Sequence, residues 1–158
     1  MKKGIVWFRN NLRLADNESL TRALDECDEV LCVYFLEPRT WNSMAEPSRM
    51  GSIRAKFILE SLLELEGDIQ ELGGTMEFIQ GRAVDEIPRI LQSYGADRCY
   101  AQKEDAWWET EQEHLLADQI NLILSGGRGI WEESDLPFAL NDLPAVFSSF
   151  RRKVEKKM

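Results

Sequence analysis

The 158-residue sequence predicts an α/β domain built on a five-stranded, mostly parallel sheet with helices on both faces. Three observations carry this. Short, almost wholly apolar runs, such as Ile5-Val6-Trp7-Phe8 and the VLCVYFL of residues 30–36, read as strands covered on both sides. Longer segments with apolar residues at three- and four-residue spacing lie between them and read as helices. The two kinds alternate, which is the order that gives parallel strands joined by helical crossovers. At this length, with 44% apolar residues, the chain buries about two-thirds of its unfolded surface and needs neither disulfide nor metal to fold.

Taken in order, Lys3–Phe8 is the first strand. Asp16 or Asn17 caps a helix over residues 18–27, with Leu20, Ala23, Leu24 and Cys27 on one side and Glu18 in the first turn. Residues 30–36 form the second strand, and 37–50, with Pro38 and Pro47, form a loop. Residues 52–72 form a long amphipathic helix on Ile53, Phe57, Leu59, Leu62, Leu63, Leu65 and Ile69, stopped by Gly73-Gly74. Residues 75–80 are the third strand. Ala83–Tyr94 is a helix with Val84, Ile87, Ile90 and Leu91 inward, and Pro88 within it marks a late start or a kink. Arg98–Gln102 is the fourth strand, 107–124 a helix ended by Gly126-Gly127, and 129–132 a short fifth strand. The pattern weakens from Ser134, with a short helix over 146–157. The α/β domain thus takes residues 1–133, and 134–158 form a C-terminal extension.

Composition excludes several functions. Acidic residues number 28 against 19 basic, a net charge of −9, so phosphates repel the chain and no strong nucleic-acid binding by it alone is expected. No apolar run is long enough for a membrane span or a signal peptide. Cys27, Cys32 and Cys99 are odd in number and lack CxxC spacing, so they read as reduced thiols of a cytoplasmic protein. The single histidine, His114, sits among Glu111, Gln112 and Glu113 on a helix that reads as exposed; no His/Cys cluster for zinc exists, and no Ser-His-Asp or Cys-His set suggests itself, because no nucleophile lies beside His114 in sequence. At the C-terminus, five basic residues between Arg151 and Lys157 stand against Glu155. They are either a solvated helix end matched to the helix dipole or a contact surface for a partner.

Parallel sheets bind ligands outside the carboxyl ends of their strands, near the switch in strand order. The loop of Arg9, Asn10, Asn11, Leu12 and Arg13 follows the first strand. Its arginines suit a forked contact to a phosphate or carboxylate, or an internal clamp such as Arg13–Asp16 or Arg9 on a carboxylate. Neither GxGxxG nor a P-loop follows that strand. Residues 126–129 are glycine-rich but precede a strand, as a turn does. The loop Lys103-Glu104-Asp105-Ala106-Trp107-Trp108 puts carboxylates beside aromatics. Either the carboxylate accepts N–H groups of a flat heterocycle while rings stack on its face, or Glu104 or Asp105 caps the next helix and the tryptophans are core.

Together these segments resemble the N-terminal antenna domain of the photolyase/cryptochrome family, most closely its DASH branch. Val6-Trp7-Phe8-Arg9-Asn10-Asn11-Leu12-Arg13-Leu14-Ala15-Asp16-Asn17 is similar to the family's strand, arginine-rich loop and capped helix, and Glu37-Pro38-Arg39 to its DPR turn. Arg54-Ala55-Lys56-Phe57-Ile58-Leu59-Glu60-Ser61-Leu62 resembles its long helix, and Tyr100-Ala101-Gln102-Lys103-Glu104 its strand-end KE pair. Residues 143–155 resemble the stretch where the DASH branch leaves its first domain. Asn11 stands where the family usually has an acid, and Ser148 where it has threonine.

The resemblance implies a Rossmann-like antenna domain seated on a larger helical domain that holds FAD and repairs pyrimidine dimers by light-driven electron transfer. It implies an antenna, usually 5,10-methenyltetrahydrofolate, in a cleft between the two, and no repair by the present residues alone. Residues 134–158 then begin the linker to the helical domain, the partner in cis. Glu104 is the first choice to hydrogen bond the pterin, with Lys103, Arg39, Arg9, Asn10 and Asn11 lining the same cleft. The same strand–helix order also fits a nucleotide-binding or interaction module of universal-stress or electron-transfer-flavoprotein type, for which residues 126–129 would be the phosphate turn.

Overall fold

The computed structural model describes residues 1–41, 50–126 and 135–157. The chain divides into two compact units, Met1–Gly126 and Gly127–Met158.

In the first unit, β1 (Lys3–Phe8) lies in the middle of a sheet whose side chains alternate between two packed faces. Beside it are β2 (Glu29–Leu36), then β3 (Met76–Gln80) on one flank, and β4 (Arg98–Gln102), then β5 (Leu122–Ser125) on the other. The order is β3-β2-β1-β4-β5, and every pairing is parallel. Ile5, Trp7, Val33, Phe35, Cys99 and Ala101 point to one face. There they meet Val84, Ile87 and Leu91 of α4 (Ala83–Tyr94) and Leu116 of α5 (Trp107–Ala117). Val6, Phe8, Cys32, Tyr34 and Tyr100 point to the other. There they meet Leu20 and Ala23 of α1 (Glu18–Glu26) and Leu62, Leu65 and Ile69 of α3 (Ser52–Glu71). This is the expected α/β sheet with helices on both faces. Burial pushes the Cys32 thiol up to about 11 and that of Cys99 to about 12, so both behave as small hydrophobes.

Local chemistry sets the boundaries. Asn17 caps α1, its Oδ1 accepting from the Leu20 N–H at 3.2 Å. Gly95 ends α4 in the left-handed conformation (φ 73°), where a side chain would be strained. Pro88 lies inside α4, which starts at Ala83, so it does not mark a late helix start.

Three expectations are corrected. α5 stops at Ala117, and the fifth strand is Leu122–Ser125, inside the segment the spacing assigned to the helix. Ile120, Leu122, Ile123 and Leu124 satisfy both a helical and a strand pattern over so short a run. Pairing with β4 decides it, sending Leu122 and Leu124 to one face and Ile123 to the other. The strand expected over 129–132 lies outside the described residues. Within the expected loop, Pro38–Trp41 forms a short helix, α2, with proline at its first position. Finally, α3 buries Leu62, Leu65 and Ile69 but leaves Ile53, Phe57, Leu59 and Leu63 exposed.

In the second unit a 3-10 turn, Leu140–Asp142, precedes α6 (Phe147–Glu155). Phe138 meets Phe150 edge-on at 5.8 Å, Phe147 stacks on Phe150 at 6.1 Å, and Lys157 Nζ donates to the Asp135 carbonyl at 2.8 Å.

Candidate functional site

The strand order reverses direction at β1: the chain leaves it toward β2 on one side and returns to β4 on the other. The loops after β1 and β4 therefore face each other at the carboxyl edge, where parallel sheets open a crevice. The sequence-predicted residues Arg9, Asn10 and Asn11 come from the first loop, and Lys103 and Glu104 from the second.

Arg9 turns inward. Its guanidinium lies 4.3 Å over the Trp7 ring, donates to the carbonyls of Gln102 and Glu109 at 3.2 Å each, and pairs with the carboxylate of Glu113 on α5. Both side chains of the pair are 4% exposed. Of the two readings for this arginine, the internal clamp is the one realised. Glu113 Oε1 also accepts the Glu104 backbone N–H at 2.9 Å, so one oxygen ties the end of β1 to the turn after β4.

Glu104 is only 2% exposed. Its Oε1 accepts from Asn10 Nδ2 at 2.8 Å, and Asn10 itself is exposed. A buried carboxylate is thus hydrogen bonded by the side-chain amide of an exposed residue. Glu104 does not cap α5: Ala106 is the N-cap, with no side-chain hydrogen bond there. Nor is Trp107 core, since it is 74% exposed with its ring 6.3 Å from that of Trp108. Arg39, also exposed, lays its guanidinium 4.4 Å over Trp108, while Lys103 is exposed at the strand end.

Asn11 is buried and serves the loop. Its Oδ1 accepts the Arg9 N–H at 3.2 Å, and its Nδ2 donates to Asn17 Oδ1 at 3.1 Å. An asparagine here both donates and accepts, which an ionised acid cannot do. Arg13 closes the loop outside with Asp16 at 3.0 Å, and Asp16 sits in the left-handed region (φ 51°).

Three buried polar residues were not singled out from sequence. Glu37 Oε1 accepts from the Ala83 N–H at 3.1 Å and from Gln112 Nε2 at 2.8 Å, joining α4 to α5. Gln112 and Glu113 sit in a run that reads as a solvated face, yet both are buried. The available signal was Leu116, three residues beyond Glu113 and therefore on the same side of the helix.

Beside Asn10 a groove of about 270 Å³ opens between the first loop and α3. Arg9, Asn10, Leu12, Arg13, Arg54, Phe57, Ile58 and Ser61 line it. Burial raises the Tyr34 hydroxyl, against which the nearby Arg54 charge pulls the other way. The sequence motif placed Arg54 and Phe57 on the long helix but did not bring them to this loop. Among the described residues no group of three or more His, Cys, Asp or Glu forms a metal site, and no helix is long and apolar enough to cross a membrane. Gly127–Gly129 lie outside the described residues.

Comparison with known proteins bears on this arrangement. The profile of the DNA photolyase family fits residues 4–158. The chain is 32% identical to the blue-light photoreceptor PHR2 of Arabidopsis thaliana over 98% of its length and 36% of the relative's. It is also 32% identical to cryptochrome DASH of Synechocystis, over 97% of this chain and 32% of that one. The crystal structure of the Synechocystis sp. PCC6803 cryptochrome superposes with a TM-score of 0.91 at 31% identity, over 99% of this chain and 34% of that one. An archaeal photolyase from Sulfolobus tokodaii, at 23% identity and TM-score 0.77 over 98% of this chain and 35% of that one, shares the fold. The chain spans about a third of the length of these relatives. A five-stranded parallel sheet with these strand-end loops, matched over nearly the whole chain by DASH cryptochromes, makes this chain a member of the DNA photolyase family.

Proposed function

We propose that this chain is the light-harvesting, cofactor-binding domain of a blue-light photolyase or cryptochrome. In this reading it binds 5,10-methenyltetrahydrofolate at the carboxyl edge. Excitation passes to FAD on a helical domain, and that domain breaks pyrimidine dimers; the present residues do no repair alone. The protein works in the cytoplasm with its thiols reduced.

The observation that carries the reading is the buried Glu104 carboxylate accepting a hydrogen bond from the amide of the exposed Asn10. A pterin presents coplanar N–H donors of the same kind as that amide. Exchanging one donor for another keeps the buried acceptor satisfied, which an apolar ligand would not. The Trp107 ring, three residues on and largely exposed, offers a flat apolar surface for the ring system. When bound, the folate supplies near-ultraviolet and blue absorption; the chain's own residues bind and orient it.

Titration with 5,10-methenyltetrahydrofolate, followed by the near-ultraviolet spectrum and by heat, tests this. Binding with a shifted absorption band is expected. Glu104→Gln removes a charge-assisted hydrogen bond and should weaken binding about 10- to 150-fold. An unshifted spectrum without heat, or an unaffected variant, would count against the folate.

A second seat has an observation of its own. The groove beside Asn10 carries Arg13 and Arg54 around Leu12, Phe57 and Ile58, a lining suited to a phosphorylated flat chromophore such as a flavin. The archaeal photolyase structure is described as holding two FAD molecules, with the implication of a novel light-harvesting cofactor. Flavin binding that falls with Arg54→Ala and ignores Glu104→Gln would assign the antenna to the groove.

A further inference from the structure

We infer that Glu113 is the positioning residue of the chromophore site, acting through the backbone of Glu104; this rests on the reading of Glu104 as the ligand's acceptor. Ala106, the N-cap of α5, brings no side-chain bond to the turn after β4, and from α5 Thr110 Oγ1 donates to the Glu104 carbonyl at 3.4 Å. The Glu104 N–H, on the other side of the residue, is held by Glu113 Oε1 at 2.9 Å. That same oxygen takes the Arg9 guanidinium, which is anchored on the Gln102 and Glu109 carbonyls at 3.2 Å each. Asn10, the next residue in the chain, then reaches the Glu104 carboxylate at 2.8 Å. Glu113 thereby closes a ring through both loops. It fixes where the acceptor of one loop stands relative to the donor of the other, and it does so buried, 3% exposed, without touching the ligand itself. A one-ångström drift of the turn would misplace the acceptor for any rigid heterocycle.

Two substitutions separate positioning from simple support. Glu113→Ala and Glu113→Gln both leave Arg9 without a carboxylate, so both lower stability. Only alanine removes the oxygen that Glu104 N–H needs. In the full chain, amide hydrogen exchange and 5,10-methenyltetrahydrofolate binding are measured under conditions where each variant is folded by circular dichroism. For alanine, the Glu104 amide should exchange about tenfold faster or more, and affinity should fall about tenfold or more. For glutamine both should stay within about threefold of the parent, although its stability has dropped.

An alanine variant with parent-like affinity, or a glutamine variant as impaired as alanine, overturns the inference. If the parent binds no folate, the reading of the site fails, and the exchange arm still decides the role of Glu113: an unchanged Glu104 amide in alanine overturns it. If alanine does not fold, the parent's Glu104 amide must be as protected as those of α5. Exchange at the rate of an open loop overturns the inference.

Discussion

Arg9→Met puts the strand-end clamp to a quantitative test. Arg9 and Glu113 are each 4% exposed, so the substitution strands a carboxylate in a nearly dry site. Breaking one side of such a pair costs about 3–5 kcal/mol, a large share of the roughly 5–15 kcal/mol that holds a domain together. At a urea dependence of about 2 kcal/mol per molar, a loss of about 4 kcal/mol moves the midpoint down by about 2 M. Replacing both partners, Arg9→Met with Glu113→Leu, removes the stranded charge. The double variant should recover the part of the loss that comes from the stranded charge, and the Glu104 N–H left without its acceptor should account for about 1–3 kcal/mol that is not recovered. Urea titrations of the four proteins, followed by far-ultraviolet circular dichroism, give the coupling energy directly. The reasoning fails if Arg9→Met lies within about 1 kcal/mol of the parent, or if the double variant loses the sum of the singles. The first outcome would also return Arg9 to the ligand-binding role that its place behind a strand suggested.

Two other regions carry expectations of their own. At the opposite edge of the sheet, the Glu26 carboxylate accepts from Arg22 at 2.8 Å, from Tyr100 at 2.9 Å and from Arg98 at 3.1 Å, and these bonds hold it below its ordinary value. Because the folded value is the lower one, the contribution is complete above about pH 4.3 and fades as pH falls through the folded value. The stability gap between the parent and Glu26→Gln should therefore be present at pH 6 and shrink in acid; an equal gap at both would show that the carboxylate charge is irrelevant. Thiol labelling of the native chain at pH 8 should modify Cys27, which is half-buried, well before Cys32 and Cys99, whose thiols burial pushes up to about 11 and about 12. All three should react in denaturant, and a second thiol reacting natively at the rate of Cys27 would contradict the packing of β2 and β4.

Much of the scaffold is legible in local sequence because its signals are local. Ile5, Val6, Trp7 and Phe8 alternate faces in a strand whatever they meet, and Asn17 caps α1 through a bond only three residues long. The site is legible only in part. Asn10 and Glu104 lie in loops that any parallel sheet would bring to its carboxyl edge, and they do meet there. Arg39 and Lys103 lie at the same edge but outside that hydrogen bond. The groove beside Asn10 needs Arg54 and Phe57 from a helix whose rotation no periodicity determined, since α3 carries apolar residues on exposed and buried sides alike.

The alternation of apolar runs and helical spacing was enough to determine the α/β class, the parallel sheet and the edge at which the loops gather. The residues themselves carry that information, through side-chain period and capping chemistry. Tertiary structure alone decided the rest. Leu122–Ser125 became a strand because β4 offered it a partner, against a spacing that also suits a helix. Arg9 became a clamp because Glu113, 104 positions along the chain, is carried to it by α5. Burial of a charge and the choice of its counter-ion depend on what surrounds the residue in three dimensions, and no window of neighbouring residues contains that.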